Sequence, residues 1–591
     1  MSDGSNDFTG DVPEPGTPFD PDTSEWPAVD APAEPPRVPA GAGDAIALDT
    51  GEFMAVPPPA PAAPFEPPEP EGGRRRRGGR LARSTAFFSL ATSASRVAGL
   101  VREIVAASYF GVTGPMSAFT IAFQVPNLVR SLFADAAIQA AFVPVFTEQL
   151  EQGNKREAFR LASTLIFLVT MVLGAITALF VLLAPVVMPI FAPGFEGEIK
   201  DLTIQLSQIL FPILIMLGAT GMVVGVLNSY DRFAAFAISP FFWNVAIIAV
   251  LVALAPAFAE NKRIYAYAIG VLVGTAVQLA IPAWDLRNTP FRPKLEFAWT
   301  PQVKRVLLLM LPVTISLGLI NFNLLINSFF GTLVSNEAPA AIDKAFRIYM
   351  LPQGIFSVAV STVVFPTLAR FAARGEVDRL RATMANGMRQ IVLLLIPAAA
   401  AILVLSEPMI RLVYQRGEFD AAQTHIVAVA LFWFAFSLPF NGLFLLQTRT
   451  FFSLQKPWTP TWISGVNLAI TALVALALYS PFGVGGIVAS TAIATAVSVA
   501  LQALLLRREL GGMELGRFFN TAARIVLASA ALAAVSYLTW AGLDDALGGS
   551  LLAQVASMGV ALGAGAAVYF AIARLLRIAE VEQILNLLRR R

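Results

Sequence analysis

Apolar runs too long for the interior of a soluble domain recur along nearly the whole chain, and they leave only one solvent in which it can fold. A helix needs about 20 mainly apolar residues to cross a bilayer. Runs of that order cover 84–111, 117–146, 159–192, 202–228, 233–257, 264–284, 305–332, 342–372, 384–413, 424–448, 457–480, 484–506, 521–542 and 552–576. The reading is an all-α polytopic membrane protein of about fourteen transmembrane helices, each satisfying its backbone hydrogen bonds within itself. Run length excludes a transmembrane β-barrel, whose strands alternate over about ten residues. The residue content agrees, with 14% charged against about a quarter in soluble chains. With no cysteine and a single histidine, His425, the chain has no disulfide, no thiol nucleophile and no His cluster for zinc, so no cofactor or metal is expected. His425 itself reads as an interfacial residue.

The position of the charges orients the runs. Residues 1–73 carry fifteen acidic groups against Arg37, are rich in proline and lack any apolar period, which predicts a disordered cytoplasmic tail. The tail lacks the features of a cleaved secretory signal, and it offers a docking segment for a cytoplasmic partner. A basic juxtamembrane segment, 74–83 ("RRRRGGRLAR"), comes next. At a membrane boundary it holds its end in the cytoplasm and touches anionic lipid, in preference to binding nucleic acid. Basic residues recur on alternate connections, as Lys155 and Arg156, Arg232, Arg292 and Lys294, Arg374 and Arg379, Lys456, and Arg507 and Arg508. The intervening connections are neutral or acidic, except near Lys262 and Arg263 and near Arg411 and Arg416. Both termini are therefore expected in the cytoplasm, with 581–591 a basic, amphipathic end lying on the inner surface.

An internal repeat divides the span. Phe142-Val143-Pro144 precedes Gly153 by nine residues, and Val364-Phe365-Pro366 precedes Gly375 by nine, a shift of 222 between the two. "PVVMPIFAPGF" and "EPMIRLVYQRGEF" follow in the same order. The expected architecture is an N-lobe over 84–290, a pseudo-repeated C-lobe over 291–510, six helices each, and two appended helices over 511–580. Transporters built from repeats place their substrate between the halves.

Several charges fall inside apolar runs. "SRVAGLVREIVAASYFG" carries Arg96, Arg102 and Glu103; Arg130 and Asp135 lie in the second run; Arg347 lies in the eighth. At 100° per residue Arg96 and Glu103 share a helix face and Arg102 lies on an adjoining one. An arginine at the centre of a lone membrane helix costs about 2.5–3.5 kcal/mol, so these side chains are expected to face a wet cavity. Two other roles stay open: snorkelling to the interface for Arg347, and a permanent ion pair with Glu103 or Asp135 for Arg102. A cavity of guanidiniums suits phosphate or carboxylate, because its planar donors stay charged at physiological pH.

At these residues the sequence resembles the MurJ/MviN family of lipid II flippases, within the multidrug/oligosaccharidyl-lipid/polysaccharide exporter superfamily. The similarity covers about 84–580 and rests on "SRVAGLVREIVAASYFG", "AFTIAFQVPNLVRSLFADAAIQAAFVPVFTE", "LNSYDRFAAFAISPFFWN", "FRIYMLPQGIFSVAVSTVVFPTLAR" and "VYQRGEF". The resemblance implies alternating-access transport of the undecaprenyl-diphosphate-linked disaccharide peptide across the bilayer, with Arg96, Arg102, Arg130 and Arg347 engaging the diphosphate. It implies ion-pairing or gating roles for Glu103 and Asp135, and a lipid groove at the two appended helices. Two departures stand out. Ser117 in "MSAF" occupies a position that is acidic in many members, and a sodium site between helices seven and eleven would find only Asn321, Asn323, Asn327 and Asn467. The rival readings are a flippase for another prenyl-linked polysaccharide precursor, a drug exporter of the same superfamily, a membrane glycosyltransferase and a scaffold that recruits partners through its tail.

Overall fold

The computed structural model describes residues 72–133 and 136–581, with side chains described except at 72–89, 131–140 and 311–321. The acidic tail, Asp135 and the end of the C-terminal basic segment lie outside the described residues. The helices are α1 (Gly72–Phe110), α2 (Gly114–Phe133), α3 (Ala136–Glu151), α4 (Lys155–Phe191), α5 (Gly197–Leu210), α6 (Ile213–Ser229), α7 (Ala234–Leu254) and α8 (Ile264–Asp285). They continue as α9 (Pro301–Val334), α10 (Ala338–Pro352), a π-helical turn at Gln353–Ser357, α11 (Val358–Ala373), α12 (Val377–Tyr414), α13 (Ala421–Ser453), α14 (Trp458–Glu509), α15 (Leu515–Leu547) and α16 (Leu551–Leu575). A helix or helix pair underlies each apolar run. Ten segments among the described residues are long and apolar enough to cross a membrane. One of them, α14, has 52 residues, about 78 Å at 1.5 Å per residue, enough for two passes. It bends at Gly483, whose φ of 54° and ψ of −135° suit only glycine. At the other end of the chain α1 reaches back through the arginine run to Gly72, because arginine is a good helix former.

The bundle is apolar outside, and its largely apolar core encloses a minority of buried polar side chains. Leu179, Leu182, Val186 and Ile190 project from α4, while Gln447, Thr471 and Gln502 are fully buried. Buried amides and hydroxyls pair across helices: Asn323 donates to Asn467 at 2.8 Å, Asn467 to Ser498 at 3.0 Å and Gln502 to Thr448 at 3.1 Å. Such bonds help hold helices whose lipid-facing surfaces gain nothing by associating. Exposed tryptophans, Trp284, Trp299, Trp458 and Trp462, stand next to basic connections, where an amphipathic ring fits the headgroup layer.

The turn at Gly153 is built again at Gly375, and 375 − 153 = 222. Gly153 N donates to Leu150 O at 3.1 Å and Asn154 N to Gln149 O at 2.9 Å; Gly375 N donates to Ala372 O at 3.1 Å and Glu376 N to Phe371 O at 3.0 Å. Both glycines take positive φ, 79° and 69°, as a left-handed helix stop requires. The untidy arginines of the ninth connection are also accounted for. Arg411 pairs with Asp544 of α15 at 2.8 Å, and Arg416 donates to the Leu412 and Val413 carbonyls that end α12.

Candidate functional site

A cavity of about 570 Å³ lies inside the bundle. Its lining comes from α1, α2, α7 and α8 on one side and from α9, α10, α13 and α14 on the other. It runs from Arg102 and Met116, near the α1–α2 connection, to Phe452, Pro460 and Thr461, near the α13–α14 connection at the far end of α13.

The α1–α2 end is closed by bonds from main-chain amides to main-chain and side-chain oxygens. Glu418 N donates to Ser108 O at 3.0 Å, and Val112 N donates to the Gln423 side-chain oxygen at 2.7 Å. Gly417 has φ +59°, and a Cβ there would run into the Ser108 carbonyl. Ser117 Oγ accepts from Ala340 N in the first turn of α10 at 3.1 Å. This hydroxyl satisfies an otherwise free helix N-terminal amide without adding charge.

Five charged side chains gather just inside the seal. Arg102 and Glu103 are consecutive on α1, while Asp343 and Arg347 share a face of α10 at i,i+4 spacing. Arg347 Nη2 donates to Asp343 Oδ1 at 3.3 Å. Glu103 is the shared partner. Its Oε1 accepts from Arg102 Nη2 at 2.5 Å and lies 3.9 Å from Arg347 Nε, and its Oε2 accepts from Lys344 Nζ at 2.6 Å. Lys344 is fully buried behind the cavity wall, 5.6 Å from the centroid of the Tyr414 ring. The Arg102 guanidinium stacks over Trp243 at 4.6 Å, a favourable cation–π distance, and its Nε has no hydrogen-bond partner. Three cations against two carboxylates leave the cluster at +1, with Arg102, Glu103, Asp343 and Arg347 all reaching the cavity surface. Beyond the cluster the lining is uncharged, largely apolar and aromatic, with Phe119, Phe346 and Phe434 in it, and is interrupted by the polar Gln124, Asn127, Asn323, Asn327, Asn441 and Thr491. Both side-chain polar atoms of Gln124 are buried without a partner.

Of the residues singled out from sequence, the structure brings Arg102, Glu103 and Arg347 together. Arg347 does not snorkel. Arg130 lies outside the lining, and its Nε donates at 2.9 Å to Asn127, which lines the cavity. Arg96 is exposed, its guanidinium beside Gly354 of the π-helical turn, where a Cβ would sit 3.9 Å from Nη1. Asp135 lies outside the described residues. Lys344, Trp243 and Gln124 were missed from sequence. Lys344 falls three residues before Arg347, a spacing that marks helix neighbours; Trp243 falls in the stretch "LNSYDRFAAFAISPFFWN", which carries no sign of what the ring covers.

A lipid-facing bundle that encloses a charged cavity between two sets of helices and seals it at one end defines a polytopic membrane transporter. Known proteins agree. The family model "Lipid II flippase MurJ" matches residues 106–553, and the chain belongs to that family. It is 33% identical to a probable lipid II flippase MurJ of Rhizobium meliloti (strain 1021), over 83% of this chain and 93% of the relative. It is 28% identical to the lipid II flippase MurJ of Burkholderia cenocepacia, over 81% and 94%. Among solved structures, a lipid II flippase MurJ in an inward closed conformation superposes with a TM-score of 0.69 at 23% identity, covering 83% of this chain and 98% of that one. An inward-facing multidrug resistance MATE transporter of the MOP superfamily superposes at 0.59 and 14% identity, covering 71% and 94%.

Proposed function

We propose that this chain flips lipid II, the undecaprenyl-diphosphate-linked disaccharide peptide, from the inner to the outer leaflet of the bacterial cytoplasmic membrane, supplying precursor for peptidoglycan. The observation that carries the reading is the cationic cluster at the blind end of the cavity. The diphosphate docks between Arg102 and Arg347, the sugar and peptide lie along the neutral amides, and the prenyl tail stays in lipid. The basic connections favour a cytoplasmic side for the termini and the cavity mouth, which makes the α1–α2 end the outer gate in this reading. Transport then needs only that the two sets of helices rock about the site, breaking the outer seal and closing the mouth. No bond in the substrate is broken. Glu103 holds the cations while the site is empty and yields Arg102 to the diphosphate on loading. Arg130, toward the mouth, meets the headgroup on entry.

A drug exporter of related fold is the second reading, prompted by the MATE superposition; a net positive anion-fitting cluster argues against a cationic drug. The deciding measurement is translocation in vesicles holding the purified protein, comparing lipid II with another prenyl-linked sugar and with a cationic drug. Lipid II alone is expected to move, and drug movement without lipid II movement overturns the reading. Arg130→Ala is expected to raise the half-saturating lipid II concentration about tenfold, one charge-assisted hydrogen bond's worth, with little change in maximal rate. A lowered maximal rate at unchanged half-saturation would place Arg130 elsewhere in the cycle. Ser108→Cys with Glu418→Cys, on this cysteine-free chain, is expected to give a disulfide under mild oxidation that stops translocation until reduced. Transport that continues in the oxidised protein rules out the outer gate.

A further inference from the structure

A second basic concavity, of about 390 Å³, sits on the rim of the bundle where the chain leaves α16 and passes the start of α15. Arg517, Arg524 and Arg577 line it together with Asn520, Thr521 and Glu580. Its one lining carboxylate, Glu580, is tied inward, and Glu514 stands beside the pocket. Arg389 of α12, itself buried, donates from Nε to Glu580 at 2.5 Å, and its Nη1 lies 3.6 Å from Glu514. Arg517 shares Glu514 from the outer side at 3.8 Å. Four guanidiniums against two carboxylates leave a charge of +2. Arg524 donates to the Leu576 carbonyl at 3.0 Å, which holds its guanidinium beside the turn that presents Arg577. That turn is fixed by a left-handed Arg577, φ 52°, a conformation non-glycine residues seldom take. Exposed apolar side chains stand on the same two helices, Leu527 one turn beyond Arg524 on α15 and Leu575 at the end of α16.

We propose that this pocket binds the phosphate of one anionic phospholipid, whose acyl chains lie along the exposed Leu527 and Leu575. Arginine forks match phosphate oxygens, and basic pockets at the ends of membrane helices suit anionic headgroups. The site is distinct from the central cavity and independent of what that cavity carries. The bound lipid cross-links the start of α15 to the end of α16, which Arg389 already fastens to α12 through Glu580.

The test uses the purified full chain in neutral detergent, with native mass spectrometry and thermal unfolding read against added phosphatidylglycerol or phosphatidylcholine. One phosphatidylglycerol is expected to bind saturably and raise the unfolding temperature, while phosphatidylcholine does neither. Arg517→Gln with Arg577→Gln should weaken phosphatidylglycerol binding about thirtyfold, at about fivefold per arginine near an anionic lipid, and leave the unfolding temperature in phosphatidylcholine unchanged. Should the double variant fail to fold, each single variant is expected to lose about fivefold. Wild-type affinity in the variants overturns the proposal. So does full competition by inorganic phosphate at equal concentration, which would make this a small-anion site.

Discussion

Arg102→Ala and Arg347→Ala are each expected to reduce lipid II translocation in vesicles by more than a hundredfold while leaving a folded protein. Each guanidinium reaches the cavity surface, and each can offer a paired donor to a diphosphate. A charge-assisted hydrogen bond is worth about 1.5–3 kcal/mol, so losing a bidentate pair removes several kcal/mol from the loaded state. Folding survives, because Glu103 keeps Lys344 when Arg102 is gone and Asp343 sits at the cavity surface when Arg347 is gone. Arg102→Lys keeps the charge but loses the fork and much of the overlap with Trp243, so it should recover only part of the rate. Translocation within a few-fold of wild type in either alanine variant would show that the diphosphate is held elsewhere.

Glu103→Gln is expected to act on stability, with a loss of about 3–5 kcal/mol, the usual cost of stranding a buried charge. The stranded group is Lys344, which has no exposed surface and whose 2.6 Å bond to Glu103 is its charged contact. Adding Lys344→Met to Glu103→Gln should return most of that loss, because a neutral pair needs no counterion. The same double variant should remain poor at translocation, since Arg102 has lost the partner that orients it. Thermal unfolding of the four proteins in lipid measures the coupling. If the two substitutions simply add, Glu103 and Lys344 are not the pair described here.

The class of fold was legible because bilayer thickness imposes a run length that no other environment demands, and of the arginines inside such runs Arg102 and Arg347 pointed to the charged cavity. The repeat was legible in loops such as "EQGNKREAF" and "ARGEVDRL", where a left-handed glycine between two helices leaves a local mark. What escaped was set by tertiary contact. Trp243 lies 141 residues from the Arg102 it covers, and Lys344 lies 241 from Glu103. No local pattern announces such pairings. Arg96 shares a helix face with Glu103, yet it stands outside the cavity beside Gly354. Periodicity gives the face of a helix but not how far along it the neighbouring helices part.

The internal counterions of the cluster bear on what a vacant carrier lets slip. Bare arginines at the end of an aqueous vestibule would hold chloride or inorganic phosphate and leak it at every idle cycle, dissipating ion gradients. Here Glu103 and Asp343 already pair with the guanidiniums, so a monovalent solute meets a cluster whose net charge is +1 rather than +3. On the proposed mechanism a polyvalent headgroup, bringing more charge than one carboxylate can offer, is what displaces them. An energy-conserving membrane can therefore keep this protein resident in quantity without paying for it in permeability.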